Sequence, residues 1–186
     1  DDRKKKKKKK SSRSTDAGPV IIRNSSDGSH FCTLPGRRTA TALASSPDGK
    51  TLYVADYRGA VLVWDVESGV QTDLFGLEGN DPLWMRVHSG GTRLELTQRP
   101  GVWQSWSLPD QAPSPSFHST GPIWALDITP DGKLAALTNW NSEVQLWNPE
   151  SQVYLGSLFG HAQLISGCAI SPSARYLLTA STDATV

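Results

Sequence analysis

The sequence predicts an all-β fold made of a repeated four-stranded unit, and three observations predict it. A tryptophan recurs: Trp64, Trp106 and Trp147 stand 42 and 41 residues apart, closing the similar phrases AVLVWD, GVWQSW and EVQLWN. A turn marker keeps the same step, with Gly49 in SPDGK, Gly91 in HSGGT, Gly132 in TPDGK and Ala174 in SPSAR. Two independent markers sharing one period signify stacked or radial repeats. Within one unit, short apolar runs alternate with turn residues every 8 to 12 positions or so, the all-β pattern, and no window sustains helical periodicity.

The elements follow in order. Residues 1–16, DDRKKKKKKKSSRSTD, carry nine Lys and Arg against three acids, net +6, while the rest of the chain carries ten against fifteen, net −5. Seven consecutive lysines repel each other and bury nothing, so this segment is expected to be disordered. Residues 20–36 hold VIIRN, preceded by Pro19, and SHFCTLPG, the expected third and fourth strands of a unit, with Arg23 in the tryptophan place. Residues 37–78, 79–120 and 121–160 are each expected to form a whole unit. The last of these reads most clearly: PIWALDI is a strand, TPDGK a tight Pro/Asp-Gly turn, LAALTNW a second strand, VQLWN a third and VYLGSLFG a fourth. Residues 161–186 are expected to supply the first two strands of a further unit.

The Trp64–Asp65 pair, its weaker copies Trp106–Ser107 and Trp147–Asn148, the Gly160–His161 pair and the segment TASTDATV (179–186) resemble the WD-repeat β-propellers. The resemblance covers roughly residues 20 to 186. It implies a partial propeller of three full four-stranded blades and two half blades. It places each tryptophan where adjacent blades meet. It also implies a buried network of a His before the first strand, a Ser or Thr in the second, an Asp in the following turn, and the Trp. The best copy here is His161, Ser181 and Asp183; elsewhere the Asp place holds Arg58, Pro100 and Asn141, so apolar packing is expected to hold those blades. The chain is expected to be a fragment of a longer propeller protein. The alternative is a four-bladed ring, in which PVIIRN and SHFCTLPG pair with LISGCAI and RYLLTAS.

Signs of chemistry are sparse. There is no phosphate-cradling Gly-rich loop followed by Lys-Ser or Lys-Thr, no His-Glu-x-x-His and no pair of Cys-x-x-Cys motifs. Asp48–Gly49 and Asp131–Gly132 lack the alternating oxygen ligands of a calcium loop and read as turns. The four histidines share no spacing with acids or cysteines that suggests a metal site. No catalytic residue, metal or cofactor is therefore expected. Cys32 and Cys168 read as small buried thiols rather than a disulfide framework, which points to a reducing, intracellular setting, cytoplasmic or nuclear. No apolar run reaches the ~20 residues of a membrane-spanning helix.

The expected function is a non-catalytic scaffold for protein–protein interaction. The alternatives are a nuclear or nucleolar RNA-associated assembly factor whose Lys4–Lys10 run contacts nucleic acid, and a recognition module attached to an enzyme domain outside the fragment. In the resembling family, partners concentrate on the top rim, at the residue before the turn Asp and at the opening of the first strand. Carried onto this chain, the first place gives Tyr57, Arg99, Trp140 and Thr182, and the second gives Thr41, Leu83, Trp124 and Ser166. Tyr57, Arg99, Trp124 and Trp140 are the expected protein-binding residues, being of the types that dominate interface hot spots.

Overall fold

The structure, a computed structural model, describes residues 19–35, 39–77, 79, 81–108, 110, 112–114, 117–119 and 121–186. The lysine-rich segment 1–16 lies outside them. Strands β1 (Val20–Arg23) and β2 (His30–Leu34) form an antiparallel pair. A four-stranded sheet follows, β3 (Ala40–Ser45), β4 (Thr51–Asp56), β5 (Ala60–Asp65) and β6 (Gln71–Gly76), hydrogen-bonded in that order. The next sheet holds β7 (Pro82–His88), β8 (Arg93–Gln98), β9 (Val102–Ser107), β10 (Ala112–Pro113) and β11 (Phe117–His118). Then come β12 (Ala125–Ile128), β13 (Ala135–Thr138), β14 (Glu143–Asn148) and β15 (Val153–Phe159), again in order, and a closing pair, β16 (Ile165–Ile170) and β17 (Leu177–Ser181). The fold is all-β, a partial β-propeller with three full blades and two half blades.

The turns explain the sequence markers. In SPDGK, the Ser46 hydroxyl donates to Asp48 at 2.6 Å, Asp48 accepts the Lys50 N–H at 3.1 Å, and Gly49 takes a φ of 73° that costs glycine nothing. TPDGK repeats this with Thr129, Asp131 and Lys133 at 2.6 and 3.1 Å. The acid that follows the tryptophan caps the next turn. Asp65 accepts the Ser68 N–H at 2.7 Å, and Asn148 accepts the N–H groups of Glu150 and Ser151 at 3.0 Å. This is the side-chain turn chemistry that Asp and Asn favour.

Successive residues of a strand face different blades, which is why the strands read as continuous apolar runs. In β4, Val54 packs with Leu34 and Trp64 toward the first half blade, whereas Tyr53 and Ala55 pack with Met85, Leu94 and Trp106 toward the next sheet. In β13, Ala135 and Leu137 join Trp103 and Ile128, while Ala136 joins Val144 and Ile165. Trp64 and Trp106 are each only 5% exposed at these junctions. Burying a side chain of that size stabilises by about 1.5–3 kcal/mol or more. On the first strands, the Asp127 carboxylate takes Arg86 of β7 on one oxygen and the N–H of Ile170 in β16, at 2.7 Å, on the other. One acid thus joins three consecutive blades.

In the third blade the fourth strand comprises β10, paired with Ser107 and Trp106, and β11, paired with Trp103 and Val102, both on β9. One expectation needs correcting. In the last repeat, the hydroxyl that reaches His161 belongs to Thr179 rather than Ser181. His161 Nε2 lies 2.8 Å from Thr179 Oγ1, and Ser181 instead donates to the Leu164 carbonyl at 3.0 Å. Nor does a polar network reach the repeat tryptophans Trp106 and Trp147. Among the described residues, the N–H groups of Trp106 and Trp147 meet no acceptor.

Candidate protein-binding rim

The two ends of the blades differ. One end is built by the turns after first and third strands, such as 46–50, 65–70, 129–133 and 148–152, and these contain no aromatic residue. The opposite end is built by the turns after second strands and by the loops into the next blade. All eight rim positions lie there, with Tyr57, Arg99, Trp140 and Thr182 in the turns. Thr41, Leu83 and Ser166 are second residues of β3, β7 and β16, and Trp124 directly precedes β12.

Three turns of this rim are held by the residue that ends or directly follows the second strand. Asp56 accepts the N–H groups of Arg58 and Ala60 at 2.8 and 3.0 Å, Asn139 accepts that of Asn141 at 2.9 Å, and the Ser181 hydroxyl accepts that of Asp183 at 3.1 Å. The resemblance puts the turn acid two positions later, at Arg58, Pro100 and Asn141, and does not point to Asp56 and Asn139, which cap the turns here. Their alignment with Ser181, at the same repeat step, was the available signal. The third blade has Gln98 there, buried, with neither side-chain polar atom partnered among the described residues.

In the second and third blades a glycine brings the turn against the loop that leaves the same blade. Gly59 has a φ of 82°, and a Cβ on it would come 2.1 Å from the Gly79 carbonyl oxygen; one on Gly101 would come 2.2 Å from that of Gly121. Backbone hydrogen bonds link the second blade to the third at this rim and continue within the third. The Tyr57 carbonyl accepts the Asp81 N–H at 3.0 Å, the Asp81 carbonyl that of Arg99 at 3.4 Å, and the Gly101 carbonyl that of Ser119 at 2.9 Å. Gly121 lies close to Trp140, so that a Cβ there would sit 3.3 Å from the indole Cδ1.

The side chains on this frame are largely exposed. Trp124 and Trp140 meet edge to face, with centroids 5.1 Å apart and planes at 85°, and are 47% and 57% exposed. Arg58 lies over the Tyr57 ring, 5.3 Å from its centroid, and its Nε donates to the Tyr57 hydroxyl at 2.8 Å. Arg99 pairs with Asp81 at 3.1 Å, a surface ion pair worth at most about 1 kcal/mol. Leu83 and Leu43 flank an open groove between β3 and β7. At the last half blade, His161 Nδ1 lies 3.1 Å from Asp183, which also accepts the Ala162 N–H at 2.8 Å. The Thr185 hydroxyl and these further donors hold the Asp183 carboxyl well below the usual carboxylate range.

A second polar cluster was not foreseen at all. Glu95, fully buried in β8, accepts the Trp103 indole N–H and the Ser105 hydroxyl, both at 2.7 Å; His88 Nε2 lies 3.0 Å away, and Arg93 approaches to 3.8 Å. It sits between the third and fourth blades, beside Phe117 and Trp147. Among the described residues, no group of three or more His, Cys, Asp or Glu could hold a metal ion, and no helix is long and apolar enough to cross a membrane. Cys32 and Cys168 are free; burial pushes the Cys168 thiol up to about 12.

Comparison with known proteins agrees with this geometry. The model of the family described as WD domain, G-beta repeat (WD40) matches residues 28–65, 113–148 and 152–186, more than half of the chain. A curated relative, the target of rapamycin complex subunit wat1 of Schizosaccharomyces pombe (strain 972 / ATCC 24843), is 26% identical over 174 residues, covering 88% of this chain and 54% of its own length. The chain thus spans about half of that relative. Among solved structures, the crystal structure of RRP9 WD40 repeats superposes with a TM-score of 0.63 at 22% identity, over 73% of this chain and 43% of that one.

Proposed function

The chain belongs to the WD domain, G-beta repeat family, and from that premise we propose that it is a non-catalytic scaffold whose rim, at Tyr57, Arg99, Trp124 and Trp140, binds peptides or partner proteins. The observation that carries this reading is the exposed indole pair. Two tryptophans that meet edge to face at the rim and stay about half exposed contribute less to a core than a buried indole, whereas Trp, Tyr and Arg are the residues on which binding energy concentrates. The relative named as a complex subunit supports a role in assembly, though over only part of its length. Free thiols are in keeping with an intracellular setting. The Lys4–Lys10 run remains the segment through which nucleic acid would be contacted, and such contact would weaken steeply with salt.

The test is Trp140→Ala, read on both binding and stability. A hot spot loses roughly 2 kcal/mol or more of partner affinity with little change in the unfolding midpoint. A stability loss of about 3–5 kcal/mol, typical of a core aromatic, with binding unchanged would make Trp140 a packing residue and remove the rim.

A further inference from the structure

Resting on that reading of the rim, we infer that its ligand is a linear acidic peptide, with a proline or aromatic side chain seated at Trp124 and Trp140 and a carboxylate at Arg58. The apolar half is a built feature. Gly121 leaves room for the Trp140 ring, and buried Asn139 fixes the turn that carries it. Two crossed indoles, each about half exposed, offer a face and an edge at once. Flat, rigid rings fill such corners at low entropic cost, and aromatic-lined grooves take proline-rich segments for that reason.

The charged half comes from comparing the two rim arginines. Asp81 balances Arg99, whereas Arg58 meets no carboxylate among the described residues. Its Nε is committed to the Tyr57 hydroxyl and its guanidinium carbon lies over the Tyr57 ring, which leaves the two terminal nitrogens as a fork. A carboxylate matches that fork with two parallel hydrogen bonds. Arg58 lies on the second blade and Trp140 on the fourth. With packed sheets about 10 Å apart, the span is roughly 20 Å, or about six residues of extended chain. Single-stranded nucleic acid offers rings and anions too, but it binds through many phosphate contacts. One unbalanced guanidinium at the rim supplies none of those many contacts.

The experiment is selection of a random peptide display library on the 186-residue chain, with counter-selection on the Trp124→Ala/Trp140→Ala variant. Enriched peptides should carry Asp or Glu about six residues from a Pro, Phe, Tyr or Trp. They should lose at least tenfold in affinity on Trp140→Ala and on Arg58→Gln, and bind more weakly as salt rises. Both positions are exposed, and melting curves of the variants check that they remain folded. Enrichment of Lys or Arg in place of acids, or indifference to Arg58→Gln while the tryptophan variants still abolish binding, overturns the inference and leaves the rim reading standing. Peptides that ignore Trp124 and Trp140, or no enrichment at all, overturn both. Preference for a labelled oligouridine over every selected peptide, lost on Trp140→Ala, replaces the peptide with nucleic acid.

Discussion

The third blade and the closing half blade are each pinned by one carboxylate, but at opposite ends and at different depths. Glu95 lies toward the end where β7 turns into β8, fully enclosed, and gathers an indole, a hydroxyl, His88 and Arg93. Asp183 lies at the rim, at the edge of solvent, and gathers His161, two backbone N–H groups and the Thr185 hydroxyl. The first cluster crosses from strand to strand and faces the fourth blade; the second ties a turn to the loop before β16. At the repeat place of Thr179, the full blades carry Val54, Leu96 and Leu137, all buried. Polar pinning is therefore a local choice within this fold, and most of each blade is held by apolar contact. Its energetic weight follows depth, because an enclosed donor left without an acceptor cannot turn to water.

The largest effect is expected at Glu95. Glu95→Ala leaves Trp103, Ser105, His88 and Arg93 around an empty acceptor place, and breaking a buried charged network in this way costs about 3–5 kcal/mol. Glu95→Leu combined with Ser105→Val, which copies the apolar character of Tyr53 and Val63 in the preceding blade, should recover part of that loss. Urea midpoints of the two variants decide it. A cost below about 1 kcal/mol for Glu95→Ala would mean that the cluster does not hold the blade.

That cluster was hidden from the sequence for a physical reason. RLELTQ alternates polar and apolar residues, the pattern of a strand with one face in water, and Arg93, Glu95 and Thr97 fall on the polar side. A propeller blade has no such face, since each side packs on a neighbour, so the polar side is buried and must satisfy itself. VWQSWS puts Trp103 and Ser105 on the matching alternation, and reading the two strands together would have shown the donors opposite the acid. What was legible is what the period carries directly: the number of strands, the Asp-Gly turns and the tryptophans at the junctions. The rim was legible as a set of places, whereas the pairing of Trp124 with Trp140 depends on loop lengths that no period fixes.

An intermediate effect, opposite in sign, is expected on the other side of the same blade. Gln104 is buried toward the second blade, and neither its oxygen nor its nitrogen has a partner among the described residues. A buried amide without hydrogen bonds carries a penalty of about 1–3 kcal/mol. Gln104→Leu keeps most of the volume and removes the polar atoms, so the melting midpoint should rise. A fall would show that the amide is satisfied in solution, by water for instance, and that the third blade has no such weak side.

The smallest effect concerns Asp183 and is read through pH. The Thr185 hydroxyl, the N–H groups of Ala162 and Thr185, and His161 hold its carboxyl below the ordinary range, against some opposing desolvation. A carboxyl depressed on folding adds stability above its unfolded value of about 3.9 and loses it as pH falls through the folded value. Between pH 5 and pH 2.5 the parent chain should therefore lose more stability than Asp183→Asn, which has no proton to bind there and keeps one oxygen for the Ala162 N–H. Denaturant midpoints at the two pH values supply the comparison, and the difference between the chains cancels the other acids. Parallel losses would mean that Asp183 meets the same environment folded and unfolded, so that the closing half blade is pinned by Thr179 and His161 without it.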